Sequence, residues 1–433
     1  MLADLLDLFA YTLVPAIYKI LFVASPIWVP WILGYIMVIL YVRKVRMKYV
    51  AGNTPILLEI KLPKTIDKSP LAMEIVLAAL HQGGASTYTE AYLLGKTAPW
   101  SSLEMVSIGG HIHFYIWVSE KKFKDIVEAQ IYAQYPTVEV FEVPLDKDYT
   151  RQVDIDEFEK KGAMWGMEFK LSDKDVYPIK TYVDYGLDKD QKEEFRIDPM
   201  TAVLEYVGSV KPGHQVWYQI MIKKHEKEGK KALRLHEKPD WKAEAVAEIE
   251  EIRKRTTPTF TDDEGNERSG FPNPTKGDIE KIAAIERSVQ KWAFDTNIRA
   301  LYLAEDAANF NPVYISGMLG SMRQYSSANL NGLKLSMKTD VSDEMKDMLT
   351  IFPFLNSYIE YSKKSMKKVF LLQYRLRTFF QPWFRLNAYK ANILTTEELA
   401  TLYHFPSNVA ATPTLPRIAS KKSEAPANLP IKE

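Results

Sequence analysis

The sequence predicts an α+β protein: an N-terminal transmembrane helix followed by two ferredoxin-like (βαββαβ) repeats, the second with a helical-hairpin insertion, and then a C-terminal helical segment and tail. Three observations predict this fold class. Residues 21–42 contain no Asp, Glu, Lys, Arg or His. Strand-like and helix-like segments then follow twice in the order β-α-β-β-α-β, which is the split-βαβ pattern. Three helix starts pair an N-cap residue with a proline, each at a predicted strand-to-helix crossing, and this recurrence suggests a duplicated module. They are Ser69-Pro70, Asp198-Pro199 and Asn311-Pro312.

Composition shifts along the chain divide it into seven predicted segments. They are an interfacial amphipathic segment (1–20), a transmembrane anchor with a basic flank (21–48), a first α+β module (55–145), a connector (146–176), a second α+β module (177–340) with an insertion (223–291), a C-terminal helical region (341–405) and a disordered linker or tail (406–433).

The uncharged stretch 21–42 is the predicted membrane anchor, because about twenty apolar helical residues cross a ~30 Å hydrocarbon core. Aromatic rings lie toward its ends, where the headgroup layer favours them, and four cations follow at once. These residues are Trp28, Trp31, Tyr35, Tyr41, Arg43, Lys44, Arg46 and Lys48. The positive-inside rule therefore predicts a single-pass protein of the cell (inner) membrane with the bulk of the chain cytoplasmic. A buried helical hairpin of a soluble protein is the alternative.

The first repeat follows from alternating and helical apolar patterns. Its predicted elements are a strand at 55–62, a helix at 70–80, two strands at 103–108 and 112–118, a helix from 123 to about 135 and a strand at 138–143. Gly109-Gly110 joins the two central strands as a two-residue hairpin turn.

The second repeat is predicted with the same order. Its elements are a strand at 177–184, a helix through 207, strands at 214–222 and 294–303, a helix opened by Asn311-Pro312 and a last strand at 332–337. Insertion 223–291 takes the place of the glycine turn, and its charged segments 240–255 and 276–291 predict a helical hairpin projecting from a sheet edge. A solvated insertion without a role is the alternative.

Residues 361–390 carry eight cations and no acid, with aromatic residues interleaved, among them Phe370, Tyr374, Phe379, Phe380, Trp383 and Phe384. The cations are Lys363, Lys364, Lys367, Lys368, Arg375, Arg377, Arg385 and Lys390. Such a local positive field in a nearly neutral chain predicts an anionic partner, namely the inner leaflet, nucleic acid or an acidic face of a motor. The aromatic residues fit membrane insertion, base stacking or core packing alike. Thr395 and Glu398 then predict a capping box before a short helix at 397–403.

No catalytic constellation emerges from the sequence. The absence of cysteine excludes disulfides, thiol catalysis and cysteine-ligated metals. Gly95-Lys96-Thr97 lacks the glycine that a phosphate-binding loop needs five residues earlier, where Glu90 stands. His111 and His113 are better explained as ordinary strand residues than as zinc ligands. We therefore expect no enzyme activity, no metal and no cofactor.

Several runs of the chain resemble the N-terminal, membrane-anchored half of bacterial conjugation-type ATPases of the type IV secretion and HerA–FtsK-like superfamily, which are found especially in candidate-phyla bacteria. The runs are LLEIKLP, KSPLAMEIVLAAL, GKTAPWSSLEMVSIGGHIHFYIWVSEKKFKDIVEAQIYAQYPTVEV, EELATLYHFPS and TPTLPRIASKKSEAPANLP. In that family the segment similar to residues 413–430 leads into a RecA-like motor with Walker motifs. This chain ends at Glu433 without a motor, so the resemblance implies a separate motor chain or a stand-alone anchor module.

These observations lead to two hypotheses of different classes. The favoured one is a non-enzymatic, membrane-anchored scaffold or adaptor of a type IV secretion or conjugation-like translocation machine. Its expected partners are the membrane, a secretion-type ATPase or another machine subunit, and further copies of itself. The alternative is a membrane-anchored nucleic-acid-binding protein, in which segment 361–390 contacts phosphates and stacks bases.

Overall fold

The computed structural model describes residues 19, 22–63, 66, 68–82, 87–154, 158, 160–189, 197–225, 240–261, 267–339, 356–378, 391–406 and 417–418. The chain divides into two compact units. The first comprises residues 1–53 and 84–98, and the second comprises residues 54–83 and 99–433.

In chain order the helices are α1 (Ser25–Gly52), α2 (Pro70–Leu80), α3 (Tyr88–Tyr92), α4 (Lys124–Gln134), α5 (Tyr149–Gln152), α6 (Met200–Gly208), α7 (Trp241–Arg255), α8 (Lys276–Val289), α9 (Val313–Gly320), α10 (Asn356–Leu376) and α11 (Thr396–Leu402). The strands are β1 (Ile56–Pro63), β2 (Trp100–Ile108), β3 (His111–Val118), β4 (Glu139–Val143), β5 (Ala163–Leu171), β6 (His214–Lys224), β7 (Thr259–Thr261), β8 (Glu267–Ser269), β9 (Ala293–Ala304), β10 (Leu333–Lys338), β11 (Asn392–Thr395) and β12 (Arg417–Ile418).

The predicted N-terminal apolar helix is confirmed as α1. A proline in its first turn costs no helical hydrogen bond, because the first amides of a helix have no internal partner. No residue of α1 is buried. Within the described part of the chain, α1 alone is long and apolar enough to cross a membrane.

The first four strands of the second unit form one half of an antiparallel sheet. Their order is β4–β1–β3–β2, and each neighbouring pair is antiparallel. The β2–β3 hairpin turns at Gly109 and Gly110, whose φ angles are 57° and 91°. Positive φ at both central residues defines the turn type that matches strand twist, so the predicted glycine turn is confirmed.

The next four long strands repeat this arrangement in the order β10–β5–β9–β6, again antiparallel throughout. The two halves join where β2 pairs with β6, from Trp100 opposite Lys223 to Ile108 opposite Gln215. One face of the joined sheet packs against α2, α4, α6, α9 and α11 around a continuous apolar core. The coarse prediction of a mixed α and β protein with an antiparallel sheet is therefore confirmed.

The predicted strand at 177–184 is wrong, because those residues form turns and irregular backbone. Pro178 has no amide to give to a strand ladder. The amides of Ile179 and Tyr182 instead donate to the side chains of Glu398 (3.0 Å) and Thr401 (3.0 Å). The first strand of this half is β5, which lies inside the predicted connector 146–176.

The insertion forms the predicted helical hairpin, in which α7 and α8 contact each other. Apolar residues of both helices join a small core with Val176 and Tyr177. In the chain segment that connects the two helices, β7 and β8 pair as a two-stranded antiparallel ribbon.

The C-terminal region adds α10, β11 and α11 to the second unit. The predicted capping box is confirmed, since Glu398 accepts hydrogen bonds from the Thr395 amide (2.8 Å) and hydroxyl (2.9 Å). β11 extends the sheet beside β9, and β12 pairs with the end of β1. The predicted interfacial segment 1–20 and tail 406–433 lie almost entirely outside the described residues.

Candidate functional site: the apolar helix and the basic helix

The anchor residues predicted from the sequence all lie on α1. Trp28, Trp31, Tyr35 and Tyr41 are exposed, and the rings of Trp31 and Tyr35 stack with centroids 6.3 Å apart. An α-helix whose large aromatic and aliphatic side chains are exposed along its length leaves unusually much apolar surface for other molecules to cover.

The basic flank continues the same helix. Lys44 and Lys48 are exposed, whereas Arg43 and Arg46 are half-buried. At 1.5 Å per residue α1 is about 42 Å long, which exceeds the ~30 Å hydrocarbon core and leaves room for its cationic end in a headgroup layer.

The basic segment predicted at 361–390 is only partly visible. Lys364 is an exposed residue of α10, and Lys367 and Lys368 are half-buried. The side chain of Lys363 and the whole of Arg385 and Lys390 lie outside the described residues.

Arg375 and Arg377 point into the protein, so the expectation that they bind an external anion is wrong. Arg375 donates to the backbone carbonyls of Thr150 (3.0 Å) and Val153. Arg377 is 2% exposed. Its guanidinium binds both oxygens of Glu104, with Nε 2.7 Å from Oε1 and Nη2 2.8 Å from Oε2.

A second carboxylate completes this buried cluster. Nη1 of Arg377 lies 3.0 Å from Oδ2 of Asp148, and its guanidinium lies 5.5 Å from the ring centroid of Trp117. Burial alone would lower the pKa of Arg377, but the carboxylates of Glu104 and Asp148 raise it well above its usual value. Burial would raise the pKa of Asp148, and the arginine holds it below its usual value instead.

The remaining lone pairs of Glu104 are also satisfied. Oε1 accepts from Ser102 (2.8 Å) and Gln219 (3.0 Å), and Oε2 accepts from the Tyr149 hydroxyl (2.8 Å). Such complete pairing is what a buried charge requires, because an unpaired one costs several kcal/mol.

The backbone at Arg377 is unusual for an arginine. Its φ angle is 51°, in the left-handed region that normally belongs to glycine. The Thr378 amide donates to the Gln373 carbonyl (3.2 Å) and the Arg377 amide to the Tyr374 carbonyl (3.1 Å). These two bonds are the Schellman motif that ends a helix, with arginine at the position where glycine is preferred. The ion pairs therefore hold a backbone conformation that costs roughly 1–2 kcal/mol.

Two aromatic residues of the basic segment are packed in the protein interior. Phe370 lies over Gly166 of β5, where an added Cβ would be 2.4 Å from the Phe370 ring. Tyr374 packs on Trp217 with ring centroids 5.5 Å apart. For these two residues core packing is the observed role, and Phe379, Phe380, Trp383 and Phe384 lie outside the described residues.

Arg299 forms a second buried ion pair beneath the same helix. Its Nε lies 2.9 Å from Oε1 of Glu168, and its Nη1 donates to the carbonyl of Gln373 (3.3 Å). The C-terminal half of α10 and the following Arg377 thus contact side chains of β2, β5, β6 and β9, across the seam between the two halves of the sheet.

The sequence reasoning missed this polar sheet face. Glu104, Glu168 and Arg299 each stand singly among apolar strand residues. A charged residue at one position of an otherwise apolar strand is the signal that could have indicated buried partners.

The lysine of the Gly95-Lys96-Thr97 motif and the histidine His113 each contact a nearby carboxylate. The Lys96 amine lies 2.9 Å from the Glu90 carboxylate, and Nδ1 of His113 lies 2.9 Å from Oε1 of Glu59. Among the described residues, no group of three or more His, Asp or Glu side chains could hold a metal ion.

Part of the chain matches a family model. The family described as domain of unknown function DUF8128 matches residues 51–332, which is more than half of the chain. The match begins at the C-terminal end of α1 and ends directly before β10, so it includes the first half of the sheet, the insertion, and the second half apart from β10. No curated protein matches the chain.

Proposed function

The chain belongs to the DUF8128 family, and we propose that it is a non-enzymatic membrane-anchored scaffold. It presents a cytoplasmic platform to the separate ATPase of a type IV secretion or conjugation-like translocation machine. The observation that carries the proposal is α1, an apolar helix long enough to cross a bilayer and with no buried residue.

The orientation rests on the charges of α1. Four cations follow its uncharged part, and an excess of Lys and Arg marks the cytoplasmic side of a membrane helix. Only three residues, 53–55, lie between α1 and β1 in the sequence.

The platform is a duplicated ferredoxin-like module in this proposal. The orders β4–β1–β3–β2 and β10–β5–β9–β6 support it, because each is the order of a βαββαβ unit when its strands are numbered along the chain. Each unit has a helix between its first two strands and another between its last two, namely α2 and α4 in one and α6 and α9 in the other.

The buried charges of the second unit support a structural role. Arg377 neutralises Glu104, Arg299 neutralises Glu168, and His404 binds Asp198 at 3.1 Å. Each charge is held by a fixed partner, whereas a catalytic acid or base has to face a substrate.

Membrane insertion can be tested on the full chain with paired substitutions in α1. Leu33→Arg with Met37→Arg places two cations in the central part of the uncharged stretch 21–42, at about 2.5–3.5 kcal/mol each in a bilayer. The parent chain should stay in membranes through alkaline carbonate, and the double variant should be released. The control is Leu33→Ile with Met37→Leu, which keeps the apolar surface. Release of the parent chain by carbonate would contradict the proposal.

The scaffold role can be tested by recovering the tagged full chain from its native membranes. The recovered complex should contain an ATPase with Walker motifs and hydrolyse ATP, and the chain purified away from it should not. ATP hydrolysis by the chain alone, or recovery without an ATPase, would argue against an adaptor.

Nucleic-acid binding is the second candidate, and Lys364 on the outside of α10 favours it. Since Arg375 and Arg377 are engaged internally, any phosphate contact by the described part of this segment falls to Lys364, Lys367 and Lys368. A salt-dependent affinity for single-stranded DNA is the signature to measure.

A further inference from the structure

A short loop belongs to the same compact unit as the apolar helix. This loop, residues 87–98 and called the juxtamembrane loop below, contains α3. The Thr87 side chain accepts from the Glu90 amide, and the Glu90 carboxylate accepts from the Thr87 amide at 3.0 Å. The Lys96 amine also binds Glu90. These contacts give the loop a defined shape.

Gly95 fixes the loop against α1. Its φ angle of +69° suits glycine, and a Cβ there would lie 2.5 Å from the carbonyl carbon of Val45 and 2.6 Å from the amide nitrogen of Arg46. Real side chains do not approach a backbone that closely. The loop therefore touches α1 backbone to backbone, at the level of the basic flank.

This contact lies at the depth of a headgroup layer if α1 crosses a bilayer. Ile32 is near the middle of the uncharged stretch 21–42, and Val45 follows it by thirteen residues. At 1.5 Å per residue the contact is about 20 Å from the bilayer centre. The hydrocarbon core ends at about 15 Å and the headgroup region at about 20–22 Å.

The loop exposes large apolar side chains at this level. Leu93 is 57% exposed, Leu94 62% and Tyr88 63%. The ring of Tyr88 stacks on that of Tyr92 with centroids 6.1 Å apart. Adjacent exposed leucines beside tyrosine rings are the composition of segments that lie in a membrane interface.

We propose that the juxtamembrane loop is a second membrane contact, in which Leu93 and Leu94 enter the headgroup–acyl boundary of the leaflet that holds the basic flank. The inference rests on the proposed membrane insertion of α1. The occupant of the apolar loop surface is lipid, because the surface is continuous with a helix that lipid would already surround.

The test uses the natural absence of cysteine, which allows a single label on the full chain. Leu94→Cys carries an environment-sensitive NBD fluorophore in nanodiscs of phosphatidylethanolamine and phosphatidylglycerol. Leu33→Cys, near the middle of the uncharged stretch 21–42, reports the anchor, and Phe271→Cys, 93% exposed in the second unit, supplies a reference spectrum. Quenching is measured with lipids spin-labelled at the headgroup or deep in the acyl chain, and with aqueous iodide.

The expected result is deep quenching at Leu33→Cys and shallow quenching at Leu94→Cys, with weak iodide access at both. Deep quenching at Leu33→Cys with a water-like, iodide-accessible label at Leu94→Cys would overturn the loop proposal and leave the anchor intact. No lipid quenching at either position would overturn membrane insertion itself. A label at Leu94→Cys that neither iodide nor lipid quenches would mean that protein covers the loop, and this also overturns the proposal.

Two glycine substitutions distinguish a displaced loop from a general loss of structure. Gly95→Ala should abolish the shallow quenching at Leu94→Cys, because the added methyl group cannot fit against Val45 and Arg46. Gly52→Ala is the matched control, since nothing lies within 4 Å of its Cβ. Equal quenching in both variants would contradict the fixed contact on which the inference depends.

Discussion

Replacement of Arg377 by methionine should be among the most destabilising single changes in the second unit. The buried cluster of Glu104, Asp148 and Arg377 has a net charge of −1 (two carboxylates and one guanidinium). Arg377→Met keeps much of the side-chain volume but leaves two buried carboxylates without a cation. Breaking a buried pair in this way costs about 3–5 kcal/mol.

Glu104→Gln should cost much less, although it removes the other half of the same ion pair. The cluster then becomes neutral, with Arg377 still bound to Asp148 at 3.0 Å. The loss reduces to weakened hydrogen bonds, about 1–2 kcal/mol. The double variant should be more stable than the sum of the single effects predicts, because glutamine removes one of the stranded charges.

The differences in the free energy of unfolding are measured by urea unfolding of the full chain in detergent micelles, with tryptophan fluorescence as the signal. Trp100 and Trp117 report the site directly, since the Trp100 indole donates to the Arg377 carbonyl at 2.9 Å. Amide exchange near the end of α10 should speed up by roughly a hundredfold to a few thousandfold in Arg377→Met. Lys364→Met, on the outside of the same helix, is the control. The charge argument is refuted if Glu104→Gln is as costly as Arg377→Met, or if Arg377→Met is within about 0.5 kcal/mol of the parent, the range of ordinary surface changes.

Three further predictions concern other charged side chains. Changing Lys364, Lys367 and Lys368 together to glutamine should weaken binding to anionic liposomes or single-stranded DNA in co-sedimentation; a salt-dependent loss for DNA alone would favour the nucleic-acid alternative, and no change for either ligand would exclude both. Lys96→Ala should leave nucleotide binding and ATP turnover at the parent level, because the loop lacks the glycines that present amides to phosphates; activity lost on this substitution would contradict the non-enzymatic proposal. Burial lowers the pKa of His404, but the buried aspartate beside it raises that pKa above its usual value. The protonated histidine therefore stabilises the folded protein fully below about pH 6.5, and this stabilisation is lost as pH rises through the raised pKa. His404→Gln should therefore flatten the fall in stability above pH 6.5 in thermal unfolding, and an unchanged slope would contradict the assignment.

Local sequence patterns were sufficient to predict an element where the segment and its partner are adjacent in sequence. The β2–β3 hairpin follows from alternating apolar residues on both sides of Gly109-Gly110, because only a tight turn joins two such runs. α1 follows equally from composition, since its length and lack of charge need no knowledge of the remaining chain.

Strand β5 could not be recognised by the same reasoning. Gly166 interrupts its apolar pattern, and a glycine in a strand usually indicates a weak position. Glycine is required at position 166 because the ring of Phe370, about two hundred residues later in the chain, packs closely against it. The segment 177–184 has better strand composition, but side chains of α11 take its amide hydrogen bonds.

In the basic segment 361–390, too, contacts with distant residues decide what sequence reasoning could not predict. Lys364 and Arg377 are equivalent in a sequence that shows only a run of cations without acids. Glu104, which decides the difference, is 273 positions away from Arg377. Local charge density predicted an external anionic partner for Arg377, whereas its partner is a carboxylate of the same chain.

The two ends of the sheet bear on how copies of the chain could associate. Among the described strands β10 is one edge of the sheet, and a register shift between Leu335 and Met337 interrupts its ladder beside the exposed Lys334. At the other end β4 has only five residues, with exposed Glu139 and Glu142. Short, charged or bulged edges oppose the addition of a strand from another molecule. The expected self-association should therefore use helices or the membrane unit, and chemical cross-links between copies should avoid β4 and β10.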